Sequence, residues 1–291
     1  MSLVTSHGTA KKTQLYKLFG VSRQAVSQAM MEPKPKKTAP VPRVAPAYVP
    51  AETLKPAIQQ LVSEHPAWGV RKVWATLRRQ QLKASMKRIH ALMRSMGLTL
   101  PASPRRGEAT RGHVAVAHSN RRWGTDLTTV YTKRDGWVAV VPVLDYGDRT
   151  FLSFEVSKSQ DALVVLSPLQ RALEAEFGNR ALVPHGFELR TDHGPQYTGQ
   201  DCHQLCWRWQ VDHSFAPIGR PTGNSVVERF ILTLKTELIW TQDWDSIHEL
   251  QAGIAAWMRI YNYERPHQAL GWQTPAERRD QNLDQMAAVA A

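Results

Sequence analysis

The segments RTDHGPQYTG (190–199) and GRPTGNSVVERFILTLKTE (219–237) decide the fold, because each places one carboxylate in a defined setting. Asp192 follows an apolar run and precedes a Gly-Pro pair, which predicts the end of a strand where the chain turns. Glu228 lies in a predicted helix that begins at Asn224 or at the serine after it, two residue types that favour helix N-termini. The two carboxylates are separated by 35 residues.

A third carboxylate, Asp126, lies in WGTDLTTVY (123–131), whose β-branched and aromatic residues predict a strand. Carboxylate oxygens are hard ligands of the kind that Mg²⁺ prefers. Two such ions, roughly 3.5–4 Å apart, serve phosphoryl transfer by activating the attacking oxygen and stabilising the leaving one. Any one of the 25 acidic residues is more often a solvated surface charge, so the inference depends on the flanking motifs.

Four segments closely resemble the DDE transposases of bacterial insertion sequences, of the IS-three type in its integrase-core reading frame. They are WGTDLT (123–128), TDHGPQY (191–197), GRPTGNSVVERF (219–230) and YNYERPHQALGWQTPAE (261–277). The 35-residue spacing matches the D-D-35-E pattern of that family. The resemblance covers residues 51–280 well and 1–32 weakly.

The resemblance implies a fold and an activity. The fold is of the α/β (α+β) class: a ribonuclease-H-like mixed five-stranded sheet with helices, preceded by helix-turn-helix units. The activity is DNA strand cleavage and strand transfer at the terminal inverted repeats of a mobile element. Asp126, Asp192 and Glu228 would hold two Mg²⁺ ions, which Mn²⁺ is expected to replace. The implied partners are element ends, target DNA, further copies of the chain and an upstream-frame helix-turn-helix protein.

Three more residues of this region are candidate DNA contacts. Lys235 matches the family pattern, and its distance of seven residues from Glu228 places both on one face of the predicted helix. The alternative for Lys235 is an ordinary exposed lysine. His193 departs from the family, where Arg commonly follows this Asp, so its contact with DNA would depend on pH. Asn224 orients the loop, touches DNA, or only caps the helix.

Charge divides the chain into a basic front and an acidic back. The 291 residues carry a net charge of +12, but residues 1–119 hold 20 Lys and Arg against 4 Asp and Glu. A basic region of this kind favours a polyanion partner, because Lys and Arg on phosphates release counterions. No apolar run approaches 18 residues and no signal-peptide core is present, which predicts a cytoplasmic protein without a membrane span.

Composition shifts indicate where domains begin and end. The predicted organisation is a possible helix-turn-helix at 1–32, a Pro-rich basic linker at 33–50, a helix-turn-helix DNA-binding domain at 51–99, a linker at 100–119, the catalytic core at 120–240, and a C-terminal helix and tail at 241–291. The candidate DNA contacts of the two helical units are Arg23, Gln24, Arg71, Lys72, Lys87, Arg88 and Arg94. Those of the second unit would position the protein on phosphates without reading sequence, whereas Arg23 and Gln24 would lie early in a helix that meets base edges.

Within the core, the pattern predicts three consecutive strands followed by alternating helices and strands, as in a mixed sheet. Asp126 is expected mid-sheet, on the first strand, and Asp192 just past the fourth. Asp145 and Asp148, which end the second strand, are expected to belong to a turn rather than to a metal site.

The two cysteines, Cys202 and Cys206, lie four residues apart with His203 between them. A structural zinc site needs four ligands with paired spacing, and no second pair follows. The pattern therefore favours a helix that buries one face.

Two other functions remain open at this point. One is a DNA-binding regulator with an inactive core, and the other is a nuclease of the same fold that cuts without joining. The intact spacing of the three carboxylates favours the transposase.

Overall fold

The computed structural model describes residues 49–101, 116–217 and 224–290, together with Gly20; for 286–290 it describes the main chain alone. The predicted helix-turn-helix at 1–32, with Arg23 and Gln24, lies outside these residues apart from Gly20. So do most of both predicted linkers and the segment 218–223. Within the described parts, no helix combines the length and the hydropathy needed to cross a bilayer.

One mixed sheet forms the centre of the catalytic part. Its strands are β1 (Arg122–Thr125), β2 (Thr128–Thr132), β3 (Gly136–Asp145), β4 (Phe151–Ser157), β5 (Glu188–Thr191) and β6 (Asp212–Phe215). Strands β1 and β2 lie end to end along one edge of β3, and β4 pairs with the other edge. Strands β5 and β6 extend the sheet in parallel beyond β1. This is a ribonuclease-H-like arrangement.

The first predicted strand is interrupted at Asp126 and Leu127, so two strands replace it. The register against β3 is kept across the interruption. Pro142, which lies opposite the gap, has no backbone N–H to give to the ladder. Asp126 Oδ1 accepts a hydrogen bond from Leu127 N at 2.8 Å instead. The prediction of one unbroken strand at 123–131 is therefore wrong, and Asp126 lies just past the end of β1, which is a central strand of the sheet.

Helices cover both faces of this sheet. The α-helices of the described residues are α1 (Ala51–Glu64), α2 (Val70–Arg79), α3 (Met86–Ser95), α4 (Ala162–Phe177), α5 (Pro195–Thr198), α6 (Gln200–Trp209), α7 (Ser225–Glu237), α8 (Ile247–Arg259) and α9 (Pro275–Ala290). Side chains alternate along β3, so Val141 and Val143 pack with α4 and α6, whereas Val140 and Leu144 pack with α7 and α8. Two hydrophobic cores therefore hold the sheet rigid.

Helices α1 to α3 share a separate small core. Leu54 and Ile58 of α1 meet Val73 of α2 and Met93 of α3, and all four are fully buried. Ser85 caps α3 as predicted, because its hydroxyl accepts from Arg88 N at 3.2 Å. The methionine spacing on α3 serves this packing.

Asp145 and Asp148 lie at the turn after β3, as predicted, and both are fully buried. Arg279 of α9 reaches Asp148 at 2.8 Å and Asp145 at 3.5 Å. Backbone amides of Asn120 and Gly147 donate to Asp145. These carboxylates are neutralised within the protein, so they have no part in the site described below.

Candidate active site

Asp126 and Asp192 lie side by side because of the parallel pairing of β1 and β5. Gly124 is aligned with Arg190, and each carboxylate follows two residues later on its own strand. The carboxyl ends of adjacent parallel strands meet at one edge of a sheet, where α/β proteins commonly bind ligands. Asp192 is exposed, and its Oδ1 accepts from Gly194 N at 3.0 Å.

Glu228 reaches the same edge from helix α7. The residue lies in the first turn of the helix and is exposed, whereas its neighbours Val227 and Phe230 are buried against the sheet. Lys235 follows on the same face. Both charged groups, Glu228 and Lys235, lie close enough to Asp126 to perturb the pKa of its carboxyl.

The pKa of Asp126 depends on the other charged groups of the cluster. The pKa of its carboxyl is raised to about 6, first by burial and then by the negative charges of Asp192 and Glu228. The hydrogen bond from Leu127 N and the cation of Lys235 lower the pKa and only partly offset that rise. The site is therefore an under-neutralised anionic pocket made of hard oxygen ligands.

The carboxylates of Asp126, Asp192 and Glu228 fit hard divalent cations. Within the described residues, one oxygen from each of the three does not lie within 4.8 Å of the others. An excess of negative charge on oxygen ligands suits cations that keep some of their water and need no closed cage.

A polar clamp that the sequence did not reveal joins β1 to α7. Tyr146 donates its hydroxyl hydrogen to Asn224 Oδ1 at 2.7 Å, and Asn224 Nδ2 donates to the Thr125 carbonyl at 3.3 Å. The clamp connects the residue before Asp126 to the residue that begins α7. A Cβ on Gly124 would lie 2.5 Å from the Tyr146 ring, so only glycine permits this approach.

The clamp supports the alternative in which Asn224 orients the backbone at the start of α7. Its side chain is only 3% exposed and makes no capping bond to α7. Both ends of the amide are bonded inside the protein, so Asn224 is a positioning residue rather than a DNA contact. His193, by contrast, is exposed and stacks on Phe215, with ring centroids 4.9 Å apart.

The predicted contacts on α2 and α3 divide into two groups. Arg71 and Lys87 are exposed and line one surface depression of about 450 Å³, which they share with Val70, Met86 and His90. Arg94 is exposed in the last turn of α3, and Arg88 is half-buried.

The prediction of a DNA contact at Lys72 is corrected, because its ammonium lies 2.9 Å from Glu237 Oε1 at the end of α7. The residue joins the helical domain to the core and is not free for phosphate.

Three family models match parts of the chain, and the last two of these parts overlap. An HTH-like domain matches residues 50–107, and two models described as integrase core domain match residues 116–221 and 209–275. The fold and the site thus define a polynucleotidyl transferase with an integrase core, and its helix-turn-helix-like domain is a DNA-binding one.

Relatives of known function narrow that class. The transposase InsD for insertion element IS2A/D/F/H/I/K of Escherichia coli is 30% identical over 229 residues, which cover 76% of this chain and 76% of that protein. The InsD transposase for insertion element IS2-9 of strain K12 matches equally over 74% of its length. The chain belongs to the DDE transposases of insertion elements.

Solved structures give more distant likenesses. The simian T-cell lymphotropic virus intasome in complex with PP2A regulatory subunit B56 gamma has 17% identity and a TM-score of 0.48, over 76% of this chain and 74% of that chain. The HTLV-2 integrase catalytic core domain in complex with magnesium has 17% identity and a TM-score of 0.42, over 56% and 97%.

Proposed function

We propose that this chain cleaves and joins DNA strands at the ends of an insertion element, with Asp126, Asp192 and Glu228 as its catalytic carboxylates. The observation that carries the proposal is the shared electrostatic environment of these three groups at one edge of the sheet. Carboxylates that repel one another in a half-buried pocket are kept at a cost in stability, which is typical of functional sites.

The implied cofactor is a pair of Mg²⁺ ions, with Mn²⁺ as a substitute. When bound, such a pair supplies an activated oxygen nucleophile and charge stabilisation of the leaving oxygen. Asp126 lies at the end of β1, next to β5, which leads to Asp192, and to α7, which carries Glu228. It would therefore be shared by both ions. Asp192 would hold one ion and Glu228 the other.

The protein's own groups position the carboxylates and the DNA. The Gly194 amide fixes one oxygen of Asp192, and the clamp at Asn224 holds the start of α7 against β1. Lys235 adds a cation on the exposed side of α7, where a DNA phosphate would lie beside the site. His193 offers a second donor, whose charge depends on pH.

End binding is assigned to the helical domain. Arg71 and Lys87 face a common depression, and Arg94 adds charge along α3, so this surface can follow a phosphate backbone. We further propose that several copies assemble on the two element ends, and that an upstream-frame helix-turn-helix protein can take part in that assembly.

The experiment incubates the full chain with Mg²⁺ and labelled DNA carrying the terminal inverted repeats of the element. Strand cleavage followed by joining is the expected result. A mobility shift without cleavage would instead identify a regulator, and cleavage without joining would identify a nuclease.

Two substitutions test the assignment of the carboxylates. Asp192→Asn and Glu228→Gln should each reduce cleavage and joining at least about 1,000-fold, since either removes a ligand in a site that supplies most of the transition-state stabilisation. End binding should stay within about twofold. The matched control is Asp284→Asn, which neutralises an exposed carboxylate on α9. Strand transfer by either active-site variant at the rate of the control would overturn the assignment.

A further inference from the structure

A second group of ligand-type side chains lies behind the catalytic edge. Cys202 and Cys206 are four residues apart on α6 and therefore share one face of that helix. His213 of β6 meets them, and one ligand atom from each of the three residues lies within 4.8 Å of the others. Among the described residues, this is the one group of three or more His, Cys, Asp or Glu side chains that is so arranged.

The sequence pattern pointed only to packing because His213 lies on the strand after the helix. Both cysteines are buried, as expected, with free thiols. The third ligand becomes visible only when the pairing of β5 with β6 turns the imidazole towards α6. The other ring nitrogen of His213, Nε2, contacts Thr191 of β5.

The hydrogen bonds of Thr191 orient the ring of His213. The threonine hydroxyl can donate its hydrogen to the Asp192 carbonyl oxygen at 2.9 Å. With the hydrogen placed there, the 2.9 Å contact between that hydroxyl and His213 Nε2 uses a hydrogen on Nε2. In the neutral ring, the lone pair of Nδ1 then faces Cys202 Sγ, 3.9 Å away. An imidazole oriented by a polar partner on its far nitrogen is the usual arrangement of a metal-binding histidine.

We propose that Cys202, Cys206 and His213 form a binding site for a thiolate-preferring divalent cation of the Zn²⁺ type. Tetrahedral zinc with ordinary bond lengths separates a sulfur and a nitrogen ligand by about 3.6 Å, so the 3.9 Å found here needs little adjustment. Water or His203 supplies the fourth ligand. His203 is exposed, and its ring centroid lies 6.1 Å from that of His213.

Zinc binds thiolates, so any proton on the Cys202 or Cys206 thiol is released to solvent when the ion binds.

The position of the site gives the ion a structural role. It would tie α6 to β6, and through His213 and Thr191 it would hold the carbonyl of Asp192 in place. The site is separate from the carboxylates of the catalytic edge, and its ligands are soft rather than hard. Its test therefore does not depend on DNA cleavage.

The first test uses the unmodified full chain and Co²⁺ as a spectroscopic probe. One equivalent of Co²⁺ should give a thiolate-to-metal charge-transfer band with the strong visible absorption of a tetrahedral site, and Zn²⁺ should displace it. Zn²⁺ should also slow the alkylation of both cysteines at least about 10-fold, whereas Mg²⁺ should not. Absence of the charge-transfer band, or equal protection by Mg²⁺, would overturn the proposal.

Variants then assign the ligands. Cys206→Ser and His213→Asn should weaken Zn²⁺ binding at least about 100-fold, and Thr191→Val should weaken it about 10-fold, as expected for loss of a group that orients a ligand. His185→Ala, which removes an exposed histidine elsewhere, should leave affinity unchanged. Circular dichroism verifies that each variant is folded. Wild-type affinity in a folded Cys206→Ser variant would refute the site.

Discussion

Asp126 is the residue at which the fold and the proposed chemistry conflict. Burial and two neighbouring carboxylates raise its pKa to about 6, so the charged form that predominates at neutral pH is less stable in the folded chain than in the unfolded chain. A shift of about 2 units corresponds to at most about 3 kcal/mol, and partial exposure of the side chain reduces that figure. The wild-type residue therefore lowers the stability of the chain without cations.

We expect Asp126→Asn to abolish strand cleavage and, without divalent cations at pH 7.5, to increase the free energy of unfolding by about 1–2 kcal/mol. The amide keeps the shape of the side chain and removes the charge. Urea denaturation monitored by tryptophan fluorescence measures the change. Asp284→Asn should stay within about 0.5 kcal/mol of the wild type. Destabilisation by Asp126→Asn would show that the carboxylate is structurally compensated.

The pH dependence of stability follows from the same group. Because the pKa is raised in the folded state, the native chain binds more protons than the unfolded chain between about pH 4 and 6, and this contribution to stability falls as pH rises through that window. Millimolar Mg²⁺ should therefore raise the melting temperature clearly at pH 7.5 and little at pH 5. The same Mg²⁺ effect at both pH values, or in Asp126→Asn, would contradict this prediction.

At the scale of elements, the active edge depends on how closely α7 approaches β1. Gly124 allows the approach, since a Cβ there would lie 2.5 Å from the Tyr146 ring and 2.8 Å from Val227. Tyr146 in turn holds Asn224 at the start of α7. The distance between Asp126 and Glu228 is thus set by packing between two elements that are far apart in sequence.

Gly124→Ala should destabilise the chain by about 1–3 kcal/mol, as overpacking of a tight core does. Cleavage should fall further than the loss of folded protein explains, because Glu228 moves with α7. Chemical denaturation and single-turnover cleavage at a temperature where the variant is folded separate these effects. Gly69→Ala is the control, since a Cβ there meets only Leu100 at 3.6 Å. Equal cleavage per folded molecule in both variants would refute the positioning role.

Much of this architecture follows from the sequence, for identifiable reasons. The helix that carries Cys202 and Cys206 and the strand end before Asp192 were predicted, because period and turn residues act locally. The break at Asp126 was not predicted, since it depends on Pro142 being opposite in the sheet. The sequence left the role of Asn224 open for the same reason, because its partner Tyr146 lies 78 positions away. Local patterns determine elements, whereas long-range pairing determines which polar groups remain free.

At the scale of the whole molecule, the helical domain and the core are joined mainly through the C-terminal segment. Arg79 of α2 pairs with Glu277 of α9 at 2.6 Å, and both side chains are partly exposed. Trp74 meets Trp272 edge to face. The most buried link is the group of Lys72, Glu237 and Arg265, in which one carboxylate serves two cations. Lys72 was expected to contact DNA, but the fold uses its charge between domains.

Glu237→Gln should therefore weaken the connection between the two parts. The side chain of Glu237 is 5% exposed, and its loss leaves Lys72 and Arg265 facing each other without compensation. Breaking such a buried pair costs about 3 kcal/mol, whereas Arg79→Ala, which removes an exposed pair, should cost at most about 1 kcal/mol. Calorimetry should show the single transition of the wild type splitting in two in Glu237→Gln, with the helical domain unfolding first.

The double variant Lys72→Met/Glu237→Gln should recover part of the loss, because it leaves one cation fewer unpaired. A Glu237→Gln chain that unfolds in one transition at the temperature of Arg79→Ala would mean that the domains are held by their apolar contacts alone.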